Sequence, residues 1–179
     1  MSDCRSWTRA LSALLEQGAD LAAGLEHESF VSPSSLAPGG SVGAHLRHVA
    51  DFVAVFLRDL GDGAIDYDRR ERDQRTECEP ARARACLLAL SAELRRLGPR
   101  DPDRAVTVRA EAPLMGGAWQ RSTLGRELGS LLSHTIHHYA LIAVLLRARG
   151  IEPPPELGVA PSTLAQWRAE RAPCAPQVG

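Results

Sequence analysis

Lysine is absent from the chain, and every strongly basic side chain is an arginine. We read that as the mark of a GC-rich genome, with little functional content. Aromatic residues make up only 4%, which excludes an aromatic-rich core and leaves an aliphatic one. Cysteines are few and scattered. Cys4, Cys78, Cys86 and Cys174 form no C-x-x-C pair, so neither a zinc knuckle nor an obvious disulfide framework is present, and a reduced, cytoplasmic setting is expected. No excess of charge exists either. With 21 basic and 22 acidic residues the formal net charge is −1, and no global field draws the chain to nucleic acid or an anionic membrane. The N-terminus MSDCRSWTRALSALLEQG carries charges where a secretory leader needs an apolar core. The longest greasy stretch, after Tyr139, is too short and too soon interrupted by Arg147 to span a bilayer. A soluble intracellular protein is the expectation.

What is present is ordinary globular composition, 44% apolar and 24% charged over 179 residues. That fits one domain over residues 1–179 with a substantial core. Leucine and alanine dominate, and both are strong helix formers. Periodicity predicts a helix from about Ser6 to Leu25, with Trp7, Leu11, Leu14, Leu15 and Leu21 at helical spacing. SFVSPSSLAPGGS, with Pro33 and Pro38, breaks the chain. A second helix starts near Ser41, carries Val42, Leu46, Val49, Val53, Phe56 and Leu60 on one stripe, and stops at Gly61 and Gly63. DYDRRERDQRTECEP reads as a charged loop, followed by a third helix over Ala81–Leu97 with Pro80 near its start. VTVRAEAPLMGGAWQRST is β-branched and turn-rich, the pattern of a short hairpin. A fourth helix opens at Ser122 or Thr123, either a plausible N-cap, and runs to Arg149 with Gly150 as its stop. A Pro-rich link leads to a short terminal helix. The fold class implied is all-α: a four-helix bundle with a small β-hairpin before its last long helix.

Half of the six histidines fall within HTIHH, residues 134–138, inside that last helix. Residues four apart on a helix lie about 40° apart around the axis, so His134 and His138 point the same way and suit one metal ion. His137 is turned away by about 100° from His138. Glu127 falls on the same stripe two turns earlier and could orient a ligand ring through its N–H. The helix is apolar over most of its circumference, and imidazole is costly to bury unless both nitrogens find partners. A third ligand must come from another helix. GAHLRHVAD offers both His45 and His48, and geometry alone leaves that choice open.

A histidine within RHVAD on the second helix, followed far downstream by HxxxH on the fourth, resembles the DinB/YfiT-like superfamily of bacterial metalloproteins. The resemblance runs from about Ser6 to Gly150 and includes SVGAHLRHVAD, DYDRRERD, RELGSLLSHTIHHYALI and, beyond that range, GVAPST. Matched residue by residue, the superfamily's three metal ligands fall on His48, His134 and His138. The resemblance implies a divalent ion, and imidazole ligands suit Zn, Ni and Fe(II) alike. Three ligands form an open site, the catalytic pattern rather than the closed structural one. Relatives include thiol-cofactor S-transferases, a thiol-dependent isomerase and the metal-binding part of sulfoxide synthases. The implied function is a metal-dependent enzyme, of transferase or hydrolase type, acting on a small polar or thiol-bearing molecule. The alternative is a non-catalytic metal-binding or stress-associated domain. A homodimer is also expected.

DYDRRERD follows the helix that carries His48. It is either a solvated charged loop or a clamp in which Arg70 or Arg72 holds an acidic substrate by bidentate hydrogen bonds, with Tyr67 at the pocket wall. Tyr139, beside His138, either donates a proton or packs; its period places it nearer the core. GVAPST is expected to form a loop and helix N-cap sealing one end of the bundle.

Overall fold

Apolar residues recur at intervals of three and four over four long segments, and each is a helix in the computed structural model, which describes residues 3–34, 40–110 and 116–171. Helix α1 (Arg5–Gly24) buries Thr8, Leu11, Leu15, Gly18 and Ala22 along one stripe. A short α2 (His27–Val31) precedes α3 (Val42–Asp59), whose N-cap Ser41 accepts a hydrogen bond from the Ala44 N–H at 3.0 Å. The expected stripe of Val42, Leu46, Val49, Val53, Phe56 and Leu60 is buried throughout. Helix α4 (Gln74–Cys78) is another single turn, and α5 (Pro80–Arg96) buries Ala83, Leu87, Leu90 and Leu94. Helix α6 (Leu124–Arg147) is capped by Thr123, and α7 (Pro161–Arg171) is the terminal helix. Helices α1 and α3 each pack against both α5 and α6, so the four long helices enclose one core.

The β region is larger than a hairpin. Strands β2 (Ala105–Arg109) and β3 (Gln120–Thr123) pair antiparallel as expected, with Val106 opposite Ser122. Strand β1 (Ala64–Asp66) adds to β2 in parallel, Ile65 opposite Val108, giving the order β1-β2-β3. Three residues without alternation carry no readable strand signal, and their pairing partner lies far along the chain. Two short helices were likewise not anticipated. Helix α4 forms inside the expected charged loop because the Asp73 carboxylate accepts the Arg75 N–H at 3.0 Å while Thr76 is buried.

By length and composition α6 alone, among the described residues, could cross a bilayer, with mean hydropathy 1.2 over its best window. The expectation from the run after Tyr139 missed this, since the helix begins well before it. Here α6 packs against α1 and α3 and buries Leu128, Leu131, Thr135, Tyr139, Ile142 and Leu146 in the core. Gly158, in GVAPST at φ +73°, lies so close to the α6 backbone that a Cβ there would meet Ala140 N at 2.2 Å. That segment is thereby seated against α6 at Tyr139 and Ala140, immediately after the HTIHH histidines. Cys4, Cys78 and Cys86 are free thiols, and Cys174 and Pro38 lie outside the described residues.

Candidate metal centre

The histidines on α6 sit at the margin of its buried stripe. His134 and His138 each precede a buried residue, Thr135 and Tyr139, by one position, so both are half-buried while their neighbours fill the core. His48 holds the same marginal place on α3, one position before buried Val49. Because α3 packs on α6, the two margins face each other. His134 Nε2 stands 3.2 Å from His48 Nε2 and 3.0 Å from His138 Nε2. One nitrogen of each of the three rings lies within 4.8 Å of the others.

A single ring nitrogen carries either one N–H or one in-plane lone pair, so His134 Nε2 cannot serve both neighbours well by hydrogen bonding. A cation among the three would take a lone pair from each. Tetrahedral coordination at about 2.0–2.1 Å separates neighbouring nitrogens by about 3.3 Å, close to the spacings seen. The residues present therefore fit a divalent ion.

The electrostatics agree. Burial, followed by the His134 ring and the Arg70 and Arg47 guanidiniums, pushes His48 down to about 4. Burial, then His137 and Arg70, pushes His134 to about 4. His138 falls to about 3 through burial and the surrounding imidazoles. All three rings are neutral at neutral pH, the form that donates a lone pair.

Phe52, one turn after His48, was not singled out from the sequence, although its spacing from His48 was available. Its ring lies 4.9 Å from His48 and 4.5 Å from His134, and stacks at 5.3 Å on Tyr67. The Arg70 guanidinium covers it at 4.4 Å. A cavity of about 940 Å³ opens beside His48 and His134, with Phe52, Tyr67, Arg70, Ser122 and Glu127 on its wall and Arg121 and Arg126 also lining it.

Tyr67 is buried, its backbone N–H bound to the Arg109 carbonyl at 2.8 Å and its hydroxyl donating to Glu127 at 3.0 Å. Asp66 pairs with Arg109, so DYDRRERD is tied to β2 at its start rather than freely solvated. Arg70 is half-buried at the cavity. Arg72 lies outside the lining, exposed, at φ 54°. Glu127 does not meet a histidine: its carboxylate accepts from Tyr67 and, at 2.5 Å, from the Ser122 hydroxyl. Tyr139 is fully buried against α1, donating to the Leu14 carbonyl at 2.7 Å, away from the cavity. His137 is exposed. His45 meets neither His48 nor His134 but faces the far side of the His138 ring, Nδ1 to Nδ1 at 2.9 Å.

A family model described as the DinB family matches residues 6–169. No curated protein and no solved structure matches the chain.

Proposed function

The chain belongs to the DinB family, and from that premise and the convergence of three imidazoles we propose that it is a four-helix-bundle metalloenzyme. In this reading His48, His134 and His138 hold one divalent ion, Zn, Ni or Fe(II), and the adjoining cavity takes a small polar or thiol-bearing molecule. The observation that carries it is His134 Nε2 standing within 3.2 Å of a ring nitrogen from each of the other two.

When bound, the ion would supply Lewis acidity at an open position beside the cavity. The surrounding residues divide the remaining work. Arg70, Arg121 and Arg126 contribute guanidiniums to the cavity, whereas its one carboxylate among the described residues, Glu127, is already held by two hydroxyls. That imbalance favours a substrate carrying negative charge, bound by charge-assisted hydrogen bonds. Glu127, buried yet on the cavity wall, is the group able to take a proton from the bound molecule, with Tyr67 and Ser122 orienting it. Phe52 supplies an apolar face between the histidines and Arg70.

A metal site serving stability alone is expected to be closed. The cavity reaching His48 and His134 favours the enzymatic reading over a non-catalytic metal-binding or stress-associated domain. The test is elemental analysis of protein purified without nickel resin, combined with mass spectrometry of molecules retained in the cavity. One divalent ion per chain and an anionic companion are expected. Protein that stays metal-free after incubation with zinc, nickel and iron(II) overturns the proposal.

A further inference from the structure

Helices α3 and α6 present two histidine pairs across their contact: His48 with His134, and one turn along, His45 with His138. The second pair is built differently from the first. The rings of His45 and His138 lie 5.1 Å apart at 43°, and the atoms that meet are the two Nδ1 nitrogens, 2.9 Å apart. The two nitrogens of an imidazole point away from one another, so a residue that meets Nδ1 of His138 stands behind the ring, opposite the Nε2 that faces His134 at 3.0 Å.

We propose that His45 is the positioning residue of the metal centre, accepting the Nδ1 proton of His138 and so committing Nε2 of that ring to the ion. This rests on the metal-binding reading above. Two nitrogens 2.9 Å apart form a hydrogen bond only with one proton between them, and a neutral imidazole carries a single N–H. With a cation drawing on the Nε2 lone pair of His138, its proton must sit on Nδ1. His45 Nδ1 must then be the bare acceptor, with its own proton on Nε2. Without a cation the opposite arrangement is open, His45 Nδ1 donating and His138 Nε2 carrying the proton.

The far side of His45 selects neither state, since Nε2 goes unpartnered whether it carries the proton or not. Its Nε2 is buried and has no hydrogen-bond partner among the described residues. No carbonyl or carboxylate therefore fixes the tautomer of His45, which follows that of His138. The usual partner behind a metal-bound histidine is a carboxylate, a carbonyl or water. Glu127, which the sequence suggested for such a role, is occupied by Tyr67 and Ser122. His45 occupies that position instead, and it also fixes the rotation of the His138 ring about its side chain.

The test uses the full chain as parent, His45→Ala and His45→Asn, with zinc affinity measured by competition against a chromophoric chelator. His45→Ala is expected to keep one zinc per chain, with affinity weakened about ten- to hundredfold and the helical circular dichroism of the metal-free protein unchanged. His45→Asn, which returns an oxygen acceptor near the place of Nδ1, should recover most of that loss. Nitrogen-15 NMR of the zinc-loaded parent should show His138 protonated on Nδ1 and His45 on Nε2. After cadmium-113 substitution, couplings should reach His48, His134 and His138 but not His45. Parental affinity in His45→Ala, a His138 metallated through Nδ1, or a cadmium coupling to His45 would each overturn the proposal. Should the alanine variant not fold, the NMR of the parent decides by itself. A parent that takes up no zinc removes the metal-binding reading as well, whereas a parent and His45→Ala that bind zinc equally remove only the positioning role.

Discussion

The Tyr67 hydroxyl donates to the Glu127 carboxylate across 3.0 Å, joining the turn after β1 to the first turn of α6. Both residues are buried, and Ser122 from β3 completes the carboxylate's partners. The contact holds the turn after β1 against the β3–α6 junction beside the cavity and keeps the Tyr67 ring stacked on Phe52. It also withdraws Glu127 from the histidines.

Tyr67→Phe keeps the ring and deletes one hydrogen bond to a buried carboxylate. A loss of about 1.5–3 kcal/mol is expected in urea denaturation, with metal content unchanged. A loss of metal in this variant would mean that Glu127 acts on the histidines after all.

Replacing His48, His134 or His138 with Ala should abolish stoichiometric zinc, because two imidazoles beside a cavity lined by three guanidiniums do not hold a divalent ion at chelator-competitive strength. His137→Ala should leave it intact, since that ring is exposed. Elemental analysis after dialysis separates the outcomes. Undiminished zinc in a His134→Ala, His138→Ala double variant would refute the assignment.

The pH dependence of the metal-free protein follows from the lowered histidines. Their folded values of about 4, 4 and 3 lie below the ordinary 6.5, so the unfolded chain takes up these protons first. Stability should be fully present above about pH 6.5 and be lost progressively as pH falls through the folded values. Thermal melts from pH 7.5 to 4 test this, and a Tm that rises on acidification would contradict it. Zinc should raise the melting temperature at neutral pH and lose that effect on acidification, because protonated imidazole has no lone pair to give.

Gly158→Ala places a methyl group where Ala140 N would be 2.2 Å away, on a backbone at φ +73°. The left-handed conformation alone costs a non-glycine residue about 1–3 kcal/mol, and the clash with backbone adds to it. A markedly lower Tm is expected, together with weaker zinc binding if the displaced α6 backbone carries His138 with it. A Tm within a degree of the parent would show that the segment yields freely.

We also propose that the chain pairs with a second copy of itself. Val144 on α6 is 50% exposed and Trp167 on α7 is 36% exposed, and the family resemblance points the same way. Light scattering at high micromolar concentration should report twice the chain mass. A clean monomer would overturn the pairing.

Local physics made much of this legible in advance. The four long helices emerge from intervals of three and four, with ends marked by Ser41, Thr123, Pro80 and Gly150, because backbone hydrogen bonding in a helix depends on residues only a turn away. The same locality explains why His134 and His138 could be matched to each other before any fold was known. Where two segments distant in sequence had to meet, spacing was silent. Spacing alone could not tell His45 from His48, which only the family resemblance separated, since both sit on one helix three positions apart and the placement of α6 decides which ring nitrogen each one meets.

Strand β1 was invisible because a three-residue strand exists only through its partner, and Arg70 was inseparable from Arg72 until Phe52 and the cavity gave one of them a wall to cover. Glu127 shared a stripe with His134, yet Tyr67 and Ser122 claimed it. A helical wheel determines which way a residue faces on its own helix. Which donor reaches that residue first is decided by the packing of other segments, and that packing is a property of the whole core.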